Sequence, residues 1–242
     1  MPAGDDKPTL AALRAQMRHA ADPAKARLLA GFFKTGKGQY GEGDIFLGIM
    51  VPVTRRIALR YAGLPFADIE RLLHSRFHEE RLAAFLILVE RYRRGDAKTK
   101  RDVYAFYLEH ADYANNWDLV DLSAPKIAGA WLLEHPSPRT LAMYARSKNL
   151  WRRRIAIVST FAFIGAGDFV PSFAVADMLL NDGHDLIHKA TGWMLREVGK
   201  RDKAALVRWL RPRYRDMPRT MLRYAIERFP EAQRKRYLAG TV

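Results

Sequence analysis

The chain has 242 residues, 49% of them hydrophobic, enough for a substantial core and too apolar for a disordered chain. It contains no cysteine, which excludes disulfides, thiolate chemistry and cysteine-based metal sites. Lys and Arg total 41 against 26 acids, a net charge of +15 that points to a polyanionic partner, nucleic acid first.

No apolar run reaches the ~20 residues that span a bilayer, and the opening MPAGDDKP lacks the charged and apolar regions of a signal peptide. The expectation is a cytoplasmic, nucleoid-associated protein with no membrane partner, a monomer by default. Helical periodicity begins at Leu10, Leu13 and Met17. The segment TGKGQYGEGDIFLG, Thr35 to Gly48, carries five glycines but no Gly-Lys-Ser/Thr ending, so it is not a phosphate-binding P-loop. It reads as a connector between two N-terminal helices and the rest. Beyond it the helical pattern returns at Leu72 and Leu73, at Leu82, Phe85, Leu86 and Val89, and at Ile155, Val158 and Phe161. Pro52, Pro65 and Pro138 stand where helices start, and Gly63, Gly95, Gly165 and Gly183 where they stop. Strand signals are nearly absent.

Three segments align on a terminal aspartate: Arg81 to Asp96, Arg153 to Asp168 and Ile187 to Asp202. Ala84, Ala156 and Ala190 stand at the same place in each, and the offsets fit a unit of about 35 residues, near the period of stacked helix pairs. The fold expected is an all-α, HEAT/armadillo-like helical-repeat solenoid with a concave basic DNA-binding face. It is read as one domain over residues 1–242, with N-terminal helices and the Gly-rich loop in 1–50 and stacked repeats in 51–242. Cations recur near the starts of the lining helices: Arg81 in one copy, Arg152, Arg153 and Arg154 in the next, His188 and Lys189 in the third. Arg55 and Arg56 follow Pro52, and Arg219 and Arg223 follow Pro218, in the same manner.

The chemistry-bearing candidate is Asn115 to Asp121, N-N-W-D-L-V-D, at the opening of a helix. Asp118 reads as a first-turn acid that complements the helix dipole. Asp121 lies four residues after Trp117 and shares its face, beside an apolar run. A carboxylate next to an indole there is an uncommon choice for packing alone. The seven histidines are scattered, and the His184/His188 pair reads as surface; no metal or cofactor is implied. Trp131, Trp151 and Trp209 read as packing residues.

N-W-D-L-V-D, then L-W-R-R-R-I-A at Leu150 to Ala156, then K-A-T-G-W-M-L-R-E at Lys189 to Glu197, resemble the AlkD-type alkylpurine DNA glycosylases. F-L-G-I at Phe46 to Ile49 with Pro52, Arg55 and Arg56 is similar to the N-terminal signature of that family, and the match runs in order from about Arg27 to Lys200. The resemblance implies a helical solenoid, Asp121 as the catalytic aspartate, Trp117 and Trp193 against the lesion's sugar, and Arg154 in the cleft. It adds Arg196, one turn from Trp193, as a phosphate contact beside Arg152, Arg153 and Lys189 of the repeat stripe. Asn116 stands where relatives can carry an aromatic residue. The function so implied is hydrolysis of the glycosidic bond of N3- or N7-alkylated purines in double-stranded DNA, without strand cleavage. A non-catalytic repeat protein that binds bent or branched DNA, or a protein-interaction scaffold, would share the basic solenoid without the chemistry.

Overall fold

Aspartate, asparagine and threonine recur at the boundaries of this chain, and in the structure, a computed structural model describing residues 8–242, they cap helices. Thr9 accepts from the Ala12 N–H to open α1 (Leu10–His19). Asp22 accepts from Ala24 and Lys25 to open α2 (Pro23–Phe32), with Pro23 in the first turn. Each such cap satisfies a backbone donor that the helix itself leaves unpaired and is worth about 1 kcal/mol. Pro52 sits at the start of α3 (Val51–Arg60), and Pro65 immediately precedes α4 (Phe66–Leu73). Among the described residues the only β-type pairing is an isolated parallel bridge between Ile45 and Phe77, so the architecture is all-α, as the periodicity predicts.

The chain divides into two compact units, the first ending at Ser123 and the second running from Ala124 to Val242. At the centre of the first is α5 (His78–Arg94), whose Leu82 to Leu88 stretch is buried throughout. It packs on α3, α4, α6 (Ala97–Glu109) and α7 (Trp117–Ser123).

The second unit shows the helix-pair repeat directly. α8 (Ala128–Glu134) leads to α9 (Pro138–Ala145) and α10 (Leu150–Ser159), and the short α11 (Phe161–Gly165) to α12 (Val170–Met178) and α13 (Asp185–Arg201). α9 packs on α12 while α10 packs on α13, which places equivalent helices in two layers. α14 (Lys203–Leu210), α15 (Arg219–Ala225) and α16 (Glu231–Ala239) complete the unit, with α15 against α13.

The aspartates that end the sequence copies have a common job. Asp96 accepts from the Thr99 N–H at the start of α6, Asp202 from Ala205 at the start of α14, and Asp168 from Val170 at the start of α12. Ala84, Ala156 and Ala190 are all buried, as close helix packing requires. The second copy departs from the others: its helical run is broken between Ser159 and Phe161, where the Thr160 hydroxyl turns back to the Ile157 carbonyl. Among the described residues no helix is long and apolar enough to cross a membrane.

Candidate active site

The Gly-rich segment is more than a connector. Asp22 N–H donates to the Leu47 carbonyl, and the His78 N–H to that of Ile45, so the loop's end is tied to both α2 and α5. The Glu79 carboxylate, 2% exposed, accepts from the N–H groups of Leu47, Gly48 and Ile49 at 2.9, 2.8 and 3.1 Å. Gly48 has φ 84°, and any Cβ there would strike the Asp22 carbonyl, so glycine is required.

This clamp delivers Asp44 to the interior. His78, 1% exposed at the start of α5, donates from Nδ1 to Asp44 at 3.0 Å and from Nε2 to Asp118 of α7 at 2.8 Å. Arg81 donates to the other oxygen of Asp44 at 2.5 Å, and Asn116 adds an amide N–H at 3.3 Å. Burial opposes charge on His78, yet the two carboxylates outweigh it and raise its pKa to about 9. Burial likewise works against Asp44, but His78 and Arg81 hold its carboxyl below the usual range. Two aspartates, one imidazolium and one guanidinium thus form a buried set with no net charge.

Three rings run in series up to His78 of this set. Trp117 stacks on Phe33 at 5.0 Å and 15°, Phe33 on Phe46 at 5.1 Å, and Phe46 on His78 at 4.6 Å; Phe32 meets Trp117 edge-on. Such pairs contribute about 1 kcal/mol each beyond area burial and fix the ring planes. Together with Leu29, Ile49, Met50 and Leu82 they wall an apolar cavity of about 310 Å³, and Asp118 and Asp121 open on it. Trp117 and Asp121 therefore share the wall of one cavity in the first unit, as their spacing on α7 predicts.

The remaining expected residues lie in the second unit. Trp193, on α13, donates from its indole N–H to Glu197 at 3.2 Å, and Phe161 lies 6.1 Å from its ring. Glu197 also receives Arg196 and Lys200, and Arg196 reaches Glu227 as well. On α10, Arg154 is buried and donates to the Leu186 carbonyl at 2.7 Å. Arg153 pairs with Asp182 at 2.6 Å, and the Arg152 guanidinium lies over Tyr144. Lys189 pairs with Asp185 one turn away.

Besides that of the Gly-rich segment, two readings change. Arg81, expected in a DNA-facing stripe, is 4% exposed and committed to Asp44 and the Ser75 carbonyl. Asp118 does lie in a first turn, but it is buried against His78. Sequence reasoning missed His78, Asp44 and the Phe33–Phe46 stack. The one available signal was the density of glycines around Glu42 and Asp44. Among the described residues no group of three or more His, Asp or Glu is arranged to hold a metal ion.

A family model described as DNA alkylation repair enzyme matches residues 13–229. The chain belongs to that DNA alkylation repair family. Membership assigns the protein a role in DNA alkylation repair, with DNA as the partner. A solved structure titled "Predicted DNA alkylation repair enzyme from Enterococcus faecalis" is similar in fold, with a TM-score of 0.69 at 18% identity; the match covers 87% of this chain and 97% of that one. No curated protein matches. For a member of this repair family, a carboxylate and an indole on one apolar cavity are the groups to examine for chemistry.

Proposed function

We propose that this repair-family member is a monofunctional DNA glycosylase, hydrolysing the N-glycosidic bond of cationic N3- or N7-alkylated purines in duplex DNA. The observation that carries the reading is the pairing of Trp117 and Asp121 on the wall of an apolar cavity. Alkylation leaves a cationic base, already a good leaving group, and bond breaking moves positive charge onto the deoxyribose. The carbon–nitrogen bond breaks with its electron pair going to the base, and water adds to the sugar carbon and gives up a proton. Asp121 stabilises the sugar cation and orients or deprotonates that water. A low-dielectric wall strengthens this interaction over its value in water.

Trp117 supplies an electron-rich face to the same cation, and the resemblance gives Trp193 a like part. Arg152, Arg153, Lys189 and Arg196 are the proposed phosphate contacts, of which Arg153, Lys189 and Arg196 would exchange their acidic partners for phosphate on binding. Arg154, buried and bonded to the Leu186 carbonyl, keeps only the cleft position that the resemblance gives it. The cavity lining contains no lysine, so no Schiff base is expected and the abasic strand stays intact.

The test is release of 7-methylguanine and 3-methyladenine from methylated duplex DNA. Wild type releases base, and Asp121→Asn, which keeps the shape and removes the charge, loses about 100-fold or more. Tight DNA binding without any base release by wild type sinks the glycosylase. Nicked product from the pure protein would exclude a monofunctional enzyme.

A further inference from the structure

Nothing in the glycosylase chemistry calls for a histidine, yet the best-tied side chain beside the cavity is His78. Its two ring nitrogens face one carboxylate each, at 3.0 and 2.8 Å, and an ionised carboxylate only accepts. Both nitrogens therefore carry protons, and the ring is cationic. The groups facing it are Asp44 from the Gly-rich loop and Asp118 from α7. On its own helix Arg81 neutralises Asp44, and Glu79 turns to the loop amides. The neighbours from α2 and the loop, Phe33 and Phe46, are uncharged rings.

Asp118 and Asp121 stand three residues apart on α7 and open on the same cavity. Like charges so placed raise each other's cost of ionisation, the more so against apolar walls. The Asp118 oxygen that does not meet His78, Oδ1, is buried without a hydrogen-bond partner, so the imidazolium is the group that compensates this carboxylate.

We infer that His78 is a positioning residue of the proposed glycosylase: bridging Asp44 and Asp118, it cancels the Asp118 charge beside Asp121 and fixes the turn of α7 that carries Trp117. The Asp118 charge then no longer opposes the ionisation of Asp121. The histidine touches neither base nor sugar. It acts through Asp118 on the charge of Asp121, and through the ring stack on the plane of Trp117. The inference rests on the glycosylase reading for its consequence in turnover, but not for its electrostatics.

The experiment follows the Asp121 carboxyl by carbon NMR in wild type, His78→Asn and the double variant His78→Asn/Asp118→Asn. Loss of the imidazolium leaves Asp118 bare, so the Asp121 titration moves up by about one pH unit in the single variant. Removing the Asp118 charge as well returns it towards wild type, a rescue that a merely structural role would not give. In base release, kcat of His78→Asn falls about tenfold with KM within about twofold, and the acidic limb of kcat/KM moves up with the carboxyl. An unchanged Asp121 titration in the single variant, or no return in the double, overturns the inference. If the variants do not fold, nitrogen NMR of wild type decides: one histidine doubly protonated at pH 8 is required, and a neutral ring there refutes it. Absence of base release by wild type would refute the glycosylase alone, since both NMR readouts are independent of turnover.

Discussion

A buried imidazolium ties the stability of the first unit to pH. His78 holds its proton up to about 9 in the folded chain, against an ordinary value of 6.5. Below pH 6.5 both folded and unfolded chains carry the charge, and the stabilisation is fully present. Between 6.5 and about 9 the unfolded chain loses its proton while the folded one keeps it, so the contribution declines, and above 9 it is gone. The shift corresponds to about 3 kcal/mol. Urea midpoints of wild type and His78→Asn should therefore differ at pH 6 and converge by pH 9.5; a gap independent of pH would mean that the ring only fills space. Residues of this kind resist reading from sequence. Trp117 and Asp121 are legible because four positions on one helix fix their relation. His78 finds its carboxylates 34 and 40 residues away, and only the folded loop brings Asp44 to it.

Helices here are delimited by local chemistry, which is why their order is legible. Asp96 and Asp202 end one copy and cap the next helix, so a short-range signal marks the repeat. What the periodicity does not show is the break at Thr160, where the hydroxyl competes for a backbone carbonyl, or the pairing of α13 with α15 through a glycine. A Cβ at Gly192 would stand 2.5 Å from both the Met221 carbonyl oxygen and the Tyr224 Cβ. Two effects oppose each other in Gly192→Ala. Alanine favours the helix by about 1 kcal/mol, whereas overpacking a buried contact costs about 1–3 kcal/mol. The Met221 carbonyl is backbone and the Tyr224 Cβ is bonded directly to backbone, so α15 has no flexible side-chain end to swing aside, and the clash wins. Gly192→Ala should lose about 2 kcal/mol in urea unfolding, and the indole fluorescence of the adjacent Trp193 should change with it. A stabilised variant would show that α13 and α15 separate more freely than their packing indicates.

For the molecule as a whole, charge decides more than any single contact. Acids number 26 against 41 lysines and arginines, so however the side chains pair, an excess of 15 positive charges remains uncompensated by the protein's own acids. The His78 set takes two of the acids against one of those cations, Arg81, and balances with its own imidazolium, and the pairs of Arg153 and Arg196 are internally compensated as well. The excess of positive charge draws phosphate to the chain, and the exchange of partners at Arg153 and Arg196 then adds contacts without changing that excess. If about five phosphates are neutralised on binding, the logarithm of the DNA association constant falls with that of salt at a slope near −4.5. Between 50 and 200 mM salt this is a loss of about 500-fold, readable by fluorescence anisotropy on an undamaged duplex. The same slope is expected with Asp121→Asn, because a carboxylate that acts on the sugar cation releases no counterions. A flat salt response would remove the polyanion from the account and favour a protein-interaction scaffold. A steep response in a protein that never releases base would leave a DNA-binding repeat protein without the chemistry. Only a steep slope joined to Asp121-dependent release makes the +15 charge and the apolar cavity parts of one enzyme.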